Sequence, residues 1–314
     1  MVKVKLAMVF PGQGSQSAGM LAGYTNLPVI QSVLVEASDI LGQDVAKLIA
    51  EGPAEELNRT VNTQPLMVTA GYAVYRAWLE LGGSSPSVVA GHSLGEYTAL
   101  VVAGAISFAD ALPLVRQRAQ AMQDAVPEGV GAMAALLGLD DDAARAACAE
   151  AAQGEVVEAV NFNSPGQIVI AGHANAVQRA IAIAKSKGAK RAVILPVSAP
   201  FHSSLMAPAA NRLREALQSV DIKSPQIPVV HNIDAQMRSD PSDIRDALVQ
   251  QADHPVQWGD CVRTIASSGV THVYECGPGK VLAPLSKRIS SGLEGLALVD
   301  RANLDQGVQL FGRG

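Results

Sequence analysis

Val88-Val89-Ala90-Gly91-His92-Ser93-Leu94-Gly95-Glu96 sets a serine between two glycines where a β-branched run meets a helical pattern. That is the layout of a nucleophile elbow. A tight strand-to-helix turn holds its serine in strained backbone geometry and pushes the hydroxyl clear of its neighbours, and Gly91 and Gly95 leave room for adjacent chain to approach. The backbone N–H groups just after the serine, at the positive end of the following helix, can stabilise an oxyanion. An ordinary βα turn can carry the same residues, so the chemistry depends on what else the chain brings to Ser93.

A serine hydroxyl needs a base within hydrogen-bond reach, and histidine is the usual one. Of the six histidines, His92 adjoins the serine but should point away from it, and His173, His231, His254 and His272 sit in unremarkable turn or strand-end contexts. His202 differs. It lies in Pro196-Val197-Ser198-Ala199-Pro200-Phe201-His202-Ser203-Ser204, a stiff two-proline loop at a strand end. Arg118 is the candidate cation. On the helix opened by the capping-box-like Ser107-Phe108-Ala109-Asp110, residues Ala111, Leu112, Val115, Ala119 and Met122 form an apolar face. At about 100° per residue Arg116 falls on the polar side, whereas Arg118 falls at the edge of the apolar face. Either it snorkels along the helix surface, or its planar fork clamps a substrate carboxylate. Gly12-Gln13-Gly14 follows a strand, but Ser17 replaces the third glycine of the dinucleotide fingerprint. Gln13 can instead offer its backbone N–H to an oxyanion.

The elements that must position these groups read as an α/β fold. Val4 to Phe10 is an apolar strand ending at Pro11-Gly12, too short and too strand-like for an export signal. Helical patterns follow to Leu81, then a short strand Ser87 to Ala90 and a helix from Leu94 to about Ala105. This alternation implies a mainly parallel sheet with its site at the strand C-terminal ends, a hydrolase-like large subdomain. The pattern changes near Pro127-Glu128-Gly129. Strand Gly131 to Leu137, helix Asp140 to Ala152, strands Val156 to Asn161 and Gln167 to Ala171, helix Ala174 to Lys187 and strand Arg191 to Leu195 follow in turn. Their βαββαβ order is that of a ferredoxin-like subdomain, inserted as residues 129–197 between core segments 1–128 and 198–314. The core then resumes with helix Leu205 to Gln218, strand Ile227 to Asn232, helix Ser242 to Ala252, strand His272 to Glu275 and helix Lys280 to Ile289.

Composition narrows the function classes. The 314 residues are 48% hydrophobic and 17% charged, with a net charge of −5, which argues against a general nucleic-acid surface. The longest apolar stretch, Ala99 to Ile106, is far below the ~20 residues that span a bilayer. Cys148, Cys261 and Cys276 are odd in number and widely spaced, as expected of reduced thiols in a cytoplasmic protein, and no cysteine–histidine cluster suggests a metal.

Taken together, the motifs resemble malonyl-CoA:acyl carrier protein transacylases. The resemblance runs through Phe10-Pro11-Gly12-Gln13-Gly14-Ser15-Gln16, Gln64-Pro65, Gly91-His92-Ser93-Leu94-Gly95-Glu96, Arg118, Asn161-Phe162-Asn163-Ser164-Pro165, Phe201-His202, Gln251, Pro255-Val256-Gln257-Trp258 and Glu275-Cys276-Gly277-Pro278-Gly279. It implies a ping-pong transfer in which Ser93 takes malonyl from coenzyme A and passes it to the pantetheine thiol of acyl carrier protein, with malonyl-CoA as substrate and no bound cofactor. On the same resemblance His202 is the base, the backbone carbonyl of Gln251 orients it, Gln13 and Leu94 supply oxyanion-hole N–H groups, and Arg118 holds the malonyl carboxylate. Phe201 stands where some stand-alone members carry a small residue. In related polyketide acyltransferase domains an aromatic there goes with malonyl over methylmalonyl, which implies little room for a branched extender.

Carrier proteins of this pathway are acidic, so a basic patch is expected. Lys185, Lys187, Lys190 and Arg191 on the insert, with Lys287 and Arg288 on a late helix, are the candidates, and a merely solvated helix face is the competing account. Three other functions share parts of the pattern. A serine esterase or thioesterase would need an acid between serine and histidine, for which Asp140, Asp141 and Asp142 are the candidates, although they look like helix N-terminal charges. A non-catalytic binding module would not need both Ser93 and His202. An acyltransferase of a polyketide or specialised pathway would share all of the chemistry.

Overall fold

A computed structural model describes residues 4–24 and 26–313; Met1 to Lys3, at the start of the amino-terminal run, lie outside them. Leu6–Phe10 (β1), Val88–Gly91 (β2), Val229–Val230 (β7), His272–Cys276 (β8) and Glu294–Leu298 (β9) form a parallel sheet in the order β7-β2-β1-β8-β9. β1 is central and buried throughout, as a strand covered on both faces must be. Its residues alternate between two cores: Leu6, Met8 and Phe10 pack with helices Pro28–Leu41, Thr60–Glu80 and Phe108–Asp124, while Ala7 and Val9 pack with Trp258–Ser267 and Leu282–Ile289. No helix among the described residues is long and apolar enough to cross a membrane.

Between β2 and β7 the chain builds a second, antiparallel sheet. Gly131–Leu137 (β3), Val157–Ser164 (β4), Gln167–His173 (β5) and Arg191–Ile194 (β6) lie in the order β4-β5-β3-β6. Helices Asp141–Ala152 and Ala174–Ser186 cover one face through Ala144, Ala147, Ala151, Ala176 and Ala180 against Leu136, Ile168 and Ile170. Alanine keeps these helices close to the sheet. Met133, Val160, Val169 and Ala171 point the other way and join the main core. β4 is also tied to the main body by backbone, with Phe162 N–H donating to Val256 O at 3.0 Å and Val256 N–H to Val160 O at 2.8 Å.

Several elements differ from the sequence expectation. The strand expected over Ile227 to Asn232 is only two residues long, because Pro228 cannot donate to a ladder and the chain turns at His231 and Asn232. The helix expected from Leu205 is divided into a 3-10 turn, Ser204–Met206, and a helix Ala207–Leu217 with proline in its first turn. Helix Trp258–Ser267, strand β9 and helix Arg301–Phe311 are additional.

Two features hold the site end of the parallel sheet. A Cβ on Gly91 would lie 1.9 Å from the carbonyl carbon of Gly95, and one on Gly95 would lie 2.1 Å from Phe10 O, so both positions of the serine motif exclude a side chain. After β8, the buried Glu275 carboxylate accepts from the backbone N–H groups of Val281 at 3.0 Å and of Leu282 and Ala283 at 2.9 Å. This caps helix Leu282–Ile289 and folds the Gly277-Pro278-Gly279 turn onto Pro11 and Ser15, beside Gln13. Glu275→Ala leaves those donors unpaired and is expected to destabilise the fold by about 2–4 kcal/mol, read as a lowered urea midpoint; a loss below about 1 kcal/mol would show that the cap is not needed.

Candidate active site

Ser93 and His202 both occupy the left-handed region of backbone space, at φ of 50° and 65°. Neither is glycine, and such strain persists where surrounding structure over-determines it. At Ser93 the determinant is Asn232: its Oδ1 accepts the Ser93 N–H at 2.7 Å and its Nδ2 donates to Gly91 O at 2.8 Å. The elbow is clamped on both sides of its serine.

The strained turn aims the Ser93 hydroxyl at His202, with Oγ 2.6 Å from Nε2. On the other side of the ring Nδ1 lies 2.8 Å from the backbone carbonyl of Gln251. A carbonyl only accepts, so Nδ1 carries the proton and Nε2 presents its lone pair to the serine. Burial, reinforced by the Arg118 guanidinium, pulls the His202 pKa down to about 3 against the opposing pull of the Gln251 carbonyl. The imidazole is therefore neutral and ready to accept a proton.

Arg118 is buried, Nη1 donating to Gln64 Oε1 and Nη2 to Gln251 Oε1, both at 2.9 Å. Nη2 also lies 3.4 Å from Ser93 Oγ, and the Tyr97 ring centroid is 5.3 Å from the guanidinium carbon. Among the described residues no carboxylate comes within ion-pair distance of it. The helical phase leaves snorkelling and inward burial open, and the structure takes the second. Arg116 by contrast bonds Leu41 O and the Gln43 side chain.

Ser93, His202, Arg118, Gln13 and Leu94 line a single cavity of about 110 Å³, with Phe201, Met122 and Met133 among its apolar walls. At ~30 Å³ per water that is room for a small acyl group. The backbone N–H groups of Gln13 and Leu94 have no acceptor among the described residues, whereas the Ser93 N–H is taken by Asn232. Gln251 lies behind the cavity and touches it through its neighbours. The other sequence candidates are elsewhere. Asp140 caps helix Asp141–Ala152 and, with Asp141, Asp142, Asp260 and Arg263, lines a separate cleft of about 440 Å³. Among the described residues no carboxylate bonds His202 Nδ1; the Gln251 backbone carbonyl does. Lys190, Arg191, Lys287 and Arg288 are exposed and outside the cavity. Two of them nevertheless approach one turn: Arg288 donates to Pro165 O at 3.3 Å, while Gly138 N–H bonds Gly166 O and the Lys190 stem packs over Gly138. Lys187 pairs with Glu150 at 3.0 Å.

Sequence reasoning overlooked a buried layer. His231, expected in an unremarkable strand end, is fully buried with Nδ1 2.7 Å from Glu96 Oε1, because the shortened β7 turns it inward. His92 does point away from the serine, its Nε2 donating to Asn163 Oδ1 at 2.7 Å across the gap to the second sheet.

A Ser–His pair on a strand-to-helix elbow, with free backbone donors beside it and a buried cation in the same cavity, defines an acyl-transferring serine enzyme. The acyl transferase domain family matches residues 7–290. A malonyl CoA-acyl carrier protein transacylase of Salmonella typhimurium is 54% identical over 301 residues, covering 96% of this chain and 97% of that protein. The crystal structure of an acyl-carrier-protein S-malonyltransferase from Burkholderia pseudomallei superposes with a TM-score of 0.96 at 64% identity, over 98% and 100% of the two chains. A malonyl-transacylase solved in complex with a type II polyketide acyl carrier protein superposes with a TM-score of 0.96 at 50% identity, over 98% and 99%. The chain belongs to the acyl transferase domain family and, within it, to the malonyl CoA-acyl carrier protein transacylases.

The lowered His202 pKa has a direct consequence for reactivity. Since only the protonated imidazole is inactive as a base, labelling of Ser93 by a fluorophosphonate is expected to stay level as pH falls from 8 through 6.5 to about 5. A half-maximal drop near the ordinary histidine pKa of ~6.5 would show that His202 is not held down.

Proposed function

We propose that this chain transfers malonyl from malonyl-CoA to the phosphopantetheine thiol of acyl carrier protein through a malonyl ester on Ser93, supplying the extender for fatty acid synthesis. The observation that carries the choice of acyl group is Arg118: a buried cation without an acid against it, in the cavity of the nucleophile, is completed by an acyl group bearing a carboxylate.

The steps follow from the geometry. Ser93 Oγ attacks the thioester carbonyl while its proton passes to His202 Nε2, and the Gln251 carbonyl steadies the imidazolium that forms. The N–H groups of Gln13 and Leu94 receive the oxyanion. Collapse of the tetrahedral adduct breaks the C–S bond, and His202 returns the proton to the coenzyme A thiolate. The carrier thiol then gives its proton to His202 and attacks the malonyl ester, and the same N–H groups hold the second oxyanion. His202 finally protonates Ser93 as the ester bond breaks. Every proton and electron pair is supplied by substrate and protein, so this sequence requires no resident cofactor.

The second sheet is read as a ferredoxin-like subdomain over 129–197, inserted between 1–128 and 198–314; its βαββαβ chain order and antiparallel pairing support this. The Pro165–Gly166 turn, flanked by Lys190 and Arg191 on one side and Lys287 and Arg288 on the other, is the docking region for the acidic carrier. Three buried free thiols suit a cytoplasmic location. Phe201, on the cavity wall, limits branching of the acyl group.

Intact-protein mass after brief exposure to malonyl-CoA tests the core of this reading. A malonyl adduct is expected on the wild type and not on Ser93→Ala, discharged by holo acyl carrier protein. Arg118→Ala is expected to slow malonyl acylation about a hundredfold relative to acetyl acylation. Release of malonate without carrier acylation would favour a hydrolase. For the docking region, charge reversal at Lys190 and Arg191 is expected to raise KM for the carrier several-fold, roughly a kcal/mol, and to weaken its salt dependence; an unchanged KM would place docking elsewhere.

A further inference from the structure

Behind Ser93 lies a set of polar side chains that no step of the transfer uses. Glu96, in the first turn of the helix that follows the nucleophile, is fully buried. Its Oε2 accepts from Asn232 N–H at 2.9 Å and from Gln251 Nε2 at 2.8 Å, and its Oε1 lies 2.7 Å from His231 Nδ1. The Gln251 side chain stands between this carboxylate and Arg118, Nε2 on Glu96 and Oε1 on Arg118 Nη2. A buried anion and a buried cation thus share one amide without touching.

We propose that Glu96 is the charge-setting residue of the acyl site, the counter-ion of Arg118 held one amide away so that the guanidinium is compensated while its fork stays open to an anionic acyl group. The inference rests on the reading of Ser93 and Arg118 given above. The spacing matters because the alternatives are both poor. A guanidinium buried with no anion nearby carries a heavy desolvation cost, whereas a carboxylate in direct contact would occupy the N–H groups that the substrate needs and would have to be displaced by it. The amide also has only one workable sense. Reversed, it would set its NH₂ against Arg118 and its oxygen against Glu96, donor on donor and acceptor on acceptor. With the sense fixed, one N–H on each of Nη1 and Nη2 is taken by a glutamine oxygen; the second on Nη1 is left for a ligand, and the second on Nη2 makes only the long 3.4 Å contact with Ser93 Oγ. The same carboxylate holds Asn232, whose side chain clamps the elbow, so charge and nucleophile are set from one residue.

The test is single-turnover acylation of Ser93 by malonyl-CoA and by acetyl-CoA, followed by intact mass, on full-length protein. Glu96→Gln keeps the shape and removes the charge. Substrate carboxylate then becomes the near counter-ion of Arg118, and the malonyl-to-acetyl rate ratio is expected to rise about tenfold. Structural damage lowers both rates together, so a ratio that falls or stays within about twofold of wild type overturns the proposal. The exchange of Glu96→Gln together with Gln251→Glu retains the backbone carbonyl on His202 and one carboxylate in the layer, now directly against Arg118 with the position-96 amide donating to it; the ratio is expected to fall about tenfold or more. An unchanged ratio there overturns the proposal too, and this variant decides if Glu96→Gln does not fold. Failure of the wild type to take malonyl on Ser93 would instead sink the reading of the site itself.

Discussion

A guanidinium buried with no carboxylate in contact among the described residues is the constraint from which the rest of this site follows. Arg118 leaves water without gaining a touching carboxylate, and its terminal N–H groups are partly satisfied by Gln64 and Gln251. Such a group is tolerable only inside a wider arrangement of dipoles and charge. Gln251 is the hinge of that arrangement. Its side chain links Arg118 to Glu96 and to Ser93 O at 2.9 Å, while its backbone carbonyl fixes the tautomer of His202. One residue thereby fixes the Arg118 fork, the Ser93 backbone and the His202 tautomer.

The same layer accounts for the backbone strain. Ser93 and His202, two of the non-glycine residues at positive φ, cost on the order of 1–3 kcal/mol each, and their side chains meet. Asn232 clamps the first from both sides. The second sits in a turn closed by Ser203 Oγ donating to Pro200 O at 2.7 Å and by Nδ1 on Gln251 O. Since Asn232 and Gln251 both donate to Glu96, the two strained turns are held by one buried carboxylate. The glycines contribute differently: Gly91 and Gly95 are required because other backbone occupies the space a Cβ would fill.

What could be read in the sequence was local. β3 begins and ends where its alternation predicts, and helix Asp141–Ala152 starts at the aspartate that caps it. The elements missed contain glycines that obscure the local signal, even where Asp300 caps helix Arg301–Phe311 as Asp140 caps the other. Helix Trp258–Ser267 has a glycine in its first turn, β9 opens on Glu294-Gly295, and helix Arg301–Phe311 carries Gly307, which lies where Trp78 and Tyr274 approach. At Gly295 and Gly307 close packing overrides propensity. The site divides in the same way. Ser93 carries its own turn chemistry and His202 a stiff loop, so each is visible alone, but their approach across 109 residues is tertiary. Glu96, His231 and Asn232 meet across about the same separation, 135 and 136 residues, with no periodicity to announce them. Arg118 is intermediate, because helical phase brings it to the edge of the apolar face and only the fold decides which way the side chain turns.

On the proposed reading of the site, the buried cation also ties substrate choice to the base. After burial itself, the Arg118 guanidinium is the next cause that holds His202 down. A carboxylate seated on Arg118 compensates that charge, and the imidazole regains basicity when the cavity holds an anionic acyl group. A neutral acyl group fits the same space without that effect and meets a weaker base. Selectivity in such a cavity is therefore expressed twice, once in the clamp and once in proton transfer, because both terms act on the same transition state.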